Sequence, residues 1–325
     1  MGINFLINFQ IIFFNMKYLY KYPYVKIVHG IRKSIIFNHI NGDVFNLNSQ
    51  FIPLTKLIDT HSISKLFKEN DKNIVSHFIS FFVQKKMGIV MEKSNFPNIP
   101  NLIPRYTYNQ IEIVEIELSD FTINNFKSIH EKLNSLKCHT YFFILNDSLN
   151  KDIIEFLNKM SISFNLVINK CFPELISKCY LNEIYSNPAL FFTYFRCWPK
   201  SIDIRPYSQW IKIINEYWKI QFTKNIYNIS KIGHPYFHSR IFINKYGEYS
   251  NSYRDVTFLG DFINRPNQFV IKSLLTQKYW TIKREFITEC QDCEFRYSCI
   301  DNSLPAPLEL NNMYKLKTKC KFSPK

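Results

Sequence analysis

Glycine is scarce, with 7 in 325 residues, and that scarcity removes whole classes of function. No P-loop and no G-x-G-x-x-G stretch occurs, so the loops that bring backbone N–H groups onto a phosphate are missing. G-x-S-x-G and H-E-x-x-H are absent too. Long apolar runs are equally lacking. The opening "MGINFLINFQIIFFNM" is broken by Asn and falls short of the roughly 20 apolar residues a spanning helix needs. It has no basic residue ahead of its apolar run and no small-residue cleavage site, so neither a signal peptide nor a membrane span is expected. Met16 is an alternative start, which would make residues 1–15 translated leader sequence. Eight cysteines are too few for a disulfide scaffold, and the expected compartment is the reducing cytoplasm.

What is present is core material. A hydrophobic fraction of 46% and an aromatic fraction of 17% support about two domains. The formal net charge of +15 would suit an acidic partner, yet no long basic block occurs. The lysines read as solvated faces, so nucleic acid is not an expected partner.

Alternation broken at turn signals predicts three short strands in 25–49: "VKIVHG", "KSIIFNHINGD" and "VFNLNS", with Gly30 and Asn41-Gly42 at the reversals. "IPLTKLI" and "SISKLFKEN" read as short helices. "DKNIVSHFISFFVQKK" reads as a longer one, with Asp71 as N-cap, Ile74, Phe78, Phe81 and Phe82 on one face, and Gly88 closing the segment. With "GIVMEK" this makes a winged-helix-like unit over 17–93, followed by a linker over 94–110 holding Pro97, Pro100 and Pro104. Over 111–233 four strand–helix units are predicted, the strands being "IEIVEIEL", "HTYFFIL", "FNLVI" and "LFFTYF", and the last helix "PYSQWIKIINEYWKIQF". Such a series argues for an α/β region with a parallel sheet, open or a partial barrel. Beyond it, "RIFINKYGEY" predicts a hairpin turning at Tyr246-Gly247, and "NQFVIKSLLTQKYWTIKREF" predicts a helix.

The chemistry-bearing motif is "CQDCEFRYSC", Cys290 to Cys299, completed by Cys320. Two residues between Cys290 and Cys293 make a turn tight enough for both thiolates to face one site. Four converging thiolates can hold zinc or an iron–sulfur cluster. Structural zinc usually shows two C-x2-C pairs, and the asymmetric set here suits a cluster at least as well. Cys138, Cys171, Cys179 and Cys197 read as small apolar residues. His234, His238 and Asp255 read as structural groups, and Glu294 and Arg296 as an ion pair or as hydrogen-bonding partners of the thiol site.

"HPYFHSRIFINKYGEYSNS", "KYWTIKREFITECQDCEFRYSCIDNSLP" and "KTKCKFSPK" together resemble the C-terminal SPASM domain of the peptide maturases of grasp-with-spasm systems. In those systems a SPASM protein is encoded beside an ATP-grasp ligase and a precursor peptide. The resemblance covers 234–325, is most specific around C-x2-C-E-F-R-Y-x-C-x-D, and extends more weakly upstream through the order of parts. It implies two auxiliary four-iron four-sulfur clusters. The outer one maps onto Cys290, Cys293, Cys299 and Cys320, while the inner one would need cysteines where this chain has Ser250, Ser252 and Ser303. One 4Fe-4S cluster is therefore expected, with zinc as the alternative. The resemblance also implies a radical SAM barrel with a C-x3-C-x2-C loop after its first strand. Here "IEIVEIEL" runs through "SDFT" into a helix with no cysteine, so the expected fold is a degenerate partial barrel of radical SAM type, and S-adenosylmethionine is not an expected cofactor.

The unit over 17–93 resembles the recognition element that binds leader peptides in ribosomal peptide modification systems. There the leader adds as a strand beside the third strand and against the third helix. That implies peptide-binding positions at Val44, Phe45, Leu47 and Phe78. The expectation is a component of a peptide maturation system that binds a precursor peptide and acts with an ATP-grasp ligase. Whether it catalyses a reaction is left open. The alternatives are a non-catalytic adaptor with a structural zinc or cluster, and a zinc protein that binds nucleic acid.

Overall fold

The chain was analysed as a computed structural model that describes residues 17–97, 110–146, 151–168, 188–195, 211–213, 222–308, 312–318 and 320, with backbone alone at 191–195 and 211–213. Cys171, Cys179 and Cys197 lie outside the described residues, as do the linker prolines Pro100 and Pro104.

The N-terminal unit opens with β1 (Lys17–Lys21), β2 (Val25–His29), β3 (Ser34–Asn38) and β4 (Val44–Leu47). A 3-10 turn then leads into α1 (Ile52–Thr55), α2 (Ile63–Glu69), α3 (Lys72–Gln84) and β5 (Gly88–Glu92). Strands β2, β3 and β4 pair antiparallel in that order, as the alternating pattern predicts, while β1 pairs with β5 across the helices. Ser62 and Asp71 start α2 and α3 by accepting backbone N–H groups of the first turn. The buried residues of α3 are Val75, Phe78 and Phe82; Ile74 and Phe81 sit at its flank. Gly88 opens β5 and does not simply close the helix.

All five residues of β3 are buried, because this strand is covered on both faces. Val25 and Ile36 pack on the helices with Leu54, Phe78 and Phe82. Val28, Ile35 and Phe37 pack the other way, against Phe222, Tyr227, Phe295 and Tyr297 of the C-terminal half. His39 is carried into this second layer, with its ring 4.8 Å from Phe37 and 4.7 Å from Tyr227.

The second half is built on a seven-stranded sheet of order β10-β9-β8-β7-β6-β11-β12. Its first part runs β6 (Ile113–Glu117), α4 (Asp120–Asn124), α5 (Phe126–Ser135), β7 (Thr140–Leu145), α6 (Lys151–Lys159), β8 (Phe164–Ile168), β9 (Leu190–Phe195) and β10 (Ile211–Ile213). Then come α7 (Lys224–Ile232), β11 (Arg240–Ile243), β12 (Tyr249–Ser250) and α8 (Asn267–Thr276). Strands β6 to β11 are all parallel to their neighbours and β12 returns antiparallel. The molecule is thus mixed α/β. One expectation is corrected: within the stretch predicted as a helix over 206–222, Ile211–Ile213 is the strand β10, because it finds a parallel partner in β9 that periodicity alone does not reveal; residues 206–210 and 214–221 lie outside the described residues. The hairpin predicted at Tyr246-Gly247 forms, but its first strand pairs with β6, so the large sheet takes in residues on both sides of position 233.

One sheet face carries Val114, Ile116, Tyr141, Phe143, Leu145, Phe164, Leu166, Ile241 and Ile243 into the main core with α5, α6 and α8. The opposite face holds Ile144, Val167 and Phe242 and a buried polar group. There Glu115 Oε1 accepts from Tyr236 (2.7 Å) and from Arg240 Nη1 (2.6 Å). Two residues, Leu118 and Ser119, join β6 to α4. Ser119 forms a capping box with Thr122, and its hydroxyl donates to the Lys245 carbonyl of the β11–β12 turn (2.8 Å). In that turn Gly247 has φ +82, and a Cβ there would strike the Phe121 ring.

Burial, reinforced by the charges of Lys26 and Lys224, pushes the His39 imidazole down from its ordinary value to about 4. The unfolded chain therefore takes up this proton first as pH falls. Stability is full above about pH 6.5 and declines toward pH 4, by roughly 2 kcal/mol between pH 7.5 and 5. Urea unfolding of wild type and His39→Phe at both pH values checks this: the variant should keep most of that increment, and an equal loss in both would refute it.

Candidate metal centre

Cysteines 290, 293 and 299 and the position of Cys320 are set by a small module after α8. A 3-10 turn at Arg284–Phe286 leads into the first ligand turn. Cys290 N–H donates to the Ile287 carbonyl (2.8 Å) and Cys293 N–H to the Cys290 carbonyl (3.0 Å), so the C-x2-C spacing closes the tight turn it predicts. The Phe295 N–H then donates to Cys293 Sγ (3.4 Å), and the Ser298 N–H donates to the Phe295 carbonyl (2.8 Å) just before Cys299. The last cysteine is brought back by β13 (Pro305–Pro307) and β14 (Tyr314–Leu316), which pair antiparallel. Thr288 N–H donates to the Tyr314 carbonyl (2.9 Å) and Leu316 N–H to Glu289 Oε2 (3.1 Å), which lays this return strand beside the first ligand turn. Ile282, Ile287, Leu316, Tyr279 and Tyr314 form an apolar shell that includes Cys290 and Cys320.

The four thiols are electrostatic neighbours. Burial first, then the Arg284 charge acting against it and the proximity of Cys299 and Cys320, set Cys290 at about 11. Burial, with Glu294, Cys299 and Cys290 nearby, pushes Cys293 up to about 12. Burial also raises Cys299, opposed by Arg284 and reinforced by Asp301 and Cys320. Among the described residues no disulfide joins them, and no three His, Cys, Asp or Glu side chains are gathered to a single point in the way one bound ion requires.

Arg284 is the residue that spacing did not reveal. It is 1% exposed, its Nη1 donates to Cys290 Sγ (3.5 Å), and its Nη2 donates to the Asp301 carbonyl (2.6 Å). Its Nε has no hydrogen-bond partner among the described residues. The Asp301 carboxylate and the Cys290 and Cys299 sulfurs are its acidic neighbours, so thiolates, or a thiolate-held anionic group, would add to its compensation. The cysteine set beside this guanidinium fits an anionic metal–sulfur centre, and the sequence signal was an arginine six residues before the first cysteine.

The remaining candidates divide. Glu294 and Arg296 form no ion pair among the described residues: Arg296 Nη1 donates to the carbonyls of Cys293 (2.9 Å) and His29 (3.0 Å), and Glu294 is buried with its Oε2 unpartnered. His234 is fully buried, and burial with the Arg284 charge holds it neutral; its Nδ1 faces the N–H groups of Tyr236 and Phe237. His238 Nδ1 lies 3.2 Å from the Trp280 carbonyl, and Asp255 accepts from Thr257 N–H (3.0 Å). Ser250, Ser252 and Ser303 are all buried and hydrogen-bonded: Ser250 to the Ser252 carbonyl (2.9 Å), Ser252 to Arg254 N–H (3.2 Å) and Ser303 to Thr318 (2.7 Å).

At the N-terminal unit, β4 is the last strand of its sheet and pairs only with β3 among the described residues. Val44 is exposed, Phe45 is half-buried, and Leu47 and Phe78 are buried. Phe78 packs between Phe51 (5.3 Å) and Phe82 (4.8 Å), so it supports this region from beneath. The wall beside β4 is made by Phe45 against Phe81, with ring centroids 5.9 Å apart, and by Lys85 above the Phe45 ring.

No protein-family model matches the chain, and no curated protein matches its sequence. Among solved structures it is similar to Streptococcus suis SuiB bound to S-adenosylmethionine, at 9% identity and TM-score 0.34, over 86% of this chain and 94% of that one. It is similar to SuiB bound to precursor peptide SuiA at 10% identity and TM-score 0.34 over the same shares. Likeness at this level assigns neither fold nor chemistry.

Replacing Cys290, Cys293, Cys299 or Cys320 singly by Ala should remove most of the metal that anaerobically purified protein carries. Cys138→Ala should leave it unchanged, since Cys138 is buried in the main core, apart from the other four thiols. Metal analysis of the five variants is the check, and retention in the Cys320 variant would exclude that residue as a ligand.

Proposed function

We propose that this chain is a component of a ribosomal peptide maturation system. It would bind the precursor peptide along the outer edge of β4 and carry one four-iron four-sulfur cluster on Cys290, Cys293, Cys299 and Cys320, acting beside an ATP-grasp ligase. The observation that carries the reading is the proximity of those four thiols to one another, with buried Arg284 beside Cys290 and Cys299, within the motif that resembles a SPASM domain. A single zinc ion held by the same sulfurs at about 2.3 Å is the alternative. With all its irons held by protein thiolates, such a cluster supplies stability or electron transfer and keeps no position open for substrate.

Peptide capture rests on strand addition. The free N–H and C=O groups of an edge strand give affinity, and neighbouring side chains give selectivity. On this chain Val44 and Phe45 would meet the added strand, and Phe81 and Lys85 would wall it. The barrel of radical SAM type would keep the peptide-holding shape. Its first strand passes through Leu118 and Ser119 into α4 with no cysteine, so the chain's own residues give no ligand set for S-adenosylmethionine chemistry at that place.

Anaerobic purification followed by iron, sulfide and zinc analysis tests the cluster: about four irons and four sulfides per chain are expected, and zinc without labile sulfide would replace this reading by a zinc site. For the peptide, Phe45→Glu should weaken binding of the precursor at least tenfold with little change in melting temperature. Equal binding of leader and scrambled leader by the wild type would remove the recognition role.

A further inference from the structure

The run between the second and third cysteines has a second occupation. Ile31 N–H, at the β2–β3 turn, donates to the Asp292 carbonyl (2.8 Å). Gly30 lies so close to the next turn that a Cβ would stand 2.6 Å from Glu294 N and 2.8 Å from Glu294 Cβ, leaving room for hydrogen only. Lys33 Nζ sits 5.4 Å from the centre of the Phe295 ring, and Phe295 and Tyr297 join Phe222 and Tyr227 beneath Val28, Ile35 and Phe37. Arg296 Nη1 spans the junction, donating to the Cys293 carbonyl on one side and to the His29 carbonyl on the other.

Resting on the metal reading above, we propose that Arg296 is a positioning residue that couples the two sites: ligation of Cys293 and Cys299 fixes the 292–297 run as the seat of the β2–β3–β4 sheet, so metal loading controls the order of the peptide-binding edge. The reasoning is one of chain freedom. Cys293 and Cys299 bracket five residues, and anchoring both ends in one centre removes the conformers that a five-residue loop otherwise samples. The docked residues are the first four of these, Glu294 to Tyr297, and Asp292. Strands β2, β3 and β4 are continuously paired, so displacement at Gly30 is passed to β4 through the ladder. By linkage, a peptide held on the sheet would in turn retain metal.

The test is amide hydrogen exchange on the full chain, loaded with iron and sulfide and then stripped by chelator, with metal content measured alongside. Stripping should speed exchange across residues 25–47 at least tenfold and leave β6, β7 and β8 unchanged. Loaded Arg296→Ala and Gly30→Ala should show the fast exchange at 25–47 while retaining metal, which separates coupling from loss of the centre. Identical exchange at 25–47 in loaded and stripped wild type, with metal bound in the first, overturns the coupling and leaves the metal reading standing. A chain that takes up no metal overturns both.

Discussion

A strand buried on both faces, β3, is the constraint around which the two halves of the molecule are arranged. Antiparallel sheets commonly leave one face to solvent, yet β3 exposes none of its five residues. Its inner face completes the core of the N-terminal helices, and its outer face receives aromatic rings from α7 and from the cysteine-rich run. Such packing leaves the two halves few relative positions, because a shift would expose Phe37 and strip Gly30 of its fit against Glu294. The outer edge of β4 is thereby held at a set distance from the thiol module.

Charge is the second organising term. Among the described residues Arg284 is buried and Arg240 largely so, and each has a different counterpart. Arg240 is matched by the Glu115 carboxylate and the Tyr236 carbonyl, to both of which it donates, and it lies over the Tyr236 ring, whose hydroxyl donates to the same carboxylate. Arg284 donates to a carbonyl and a thiol and lies near the Asp301 carboxylate, and ionised sulfurs at Cys290 and Cys299 would add to that negative charge. The first is a finished structural pair on the sheet. The second has room for further negative charge from thiolates.

Local signals were legible where a residue's role depends on near neighbours. Alternation marked β2, β3, β4, β6, β7 and β8, Asp71 marked the start of α3, and the cysteine spacing marked the ligand turn. Roles fixed by distant partners were not legible. β1 is a strand because β5 pairs with it from far along the chain, Lys21 meeting Gly88 at the near end. Ile211–Ile213 became a strand because β9 offered an edge, against a pattern that reads as helix. Arg284 and Gly30 gave no periodic signal at all, since one is defined by a sulfur and the other by the absence of space for a methyl group. Ile74 and Phe81 share the periodicity of Phe78, and only the packing order told that Phe78 is interior and Phe81 faces β4.

The short join between β6 and α4 bears on how the large sheet could be altered. Leu118 N–H is taken by the Ile144 carbonyl (2.9 Å), Ser119 is taken by Thr122 and Lys245, and Phe121 rests on Gly247. Every group in the connection already has a structural duty. Exchanging residues for cysteine at these positions would break caps without creating a loop, so an engineer seeking an open iron site at the head of β6 must insert chain and rebuild the β11–β12 turn that closes over it.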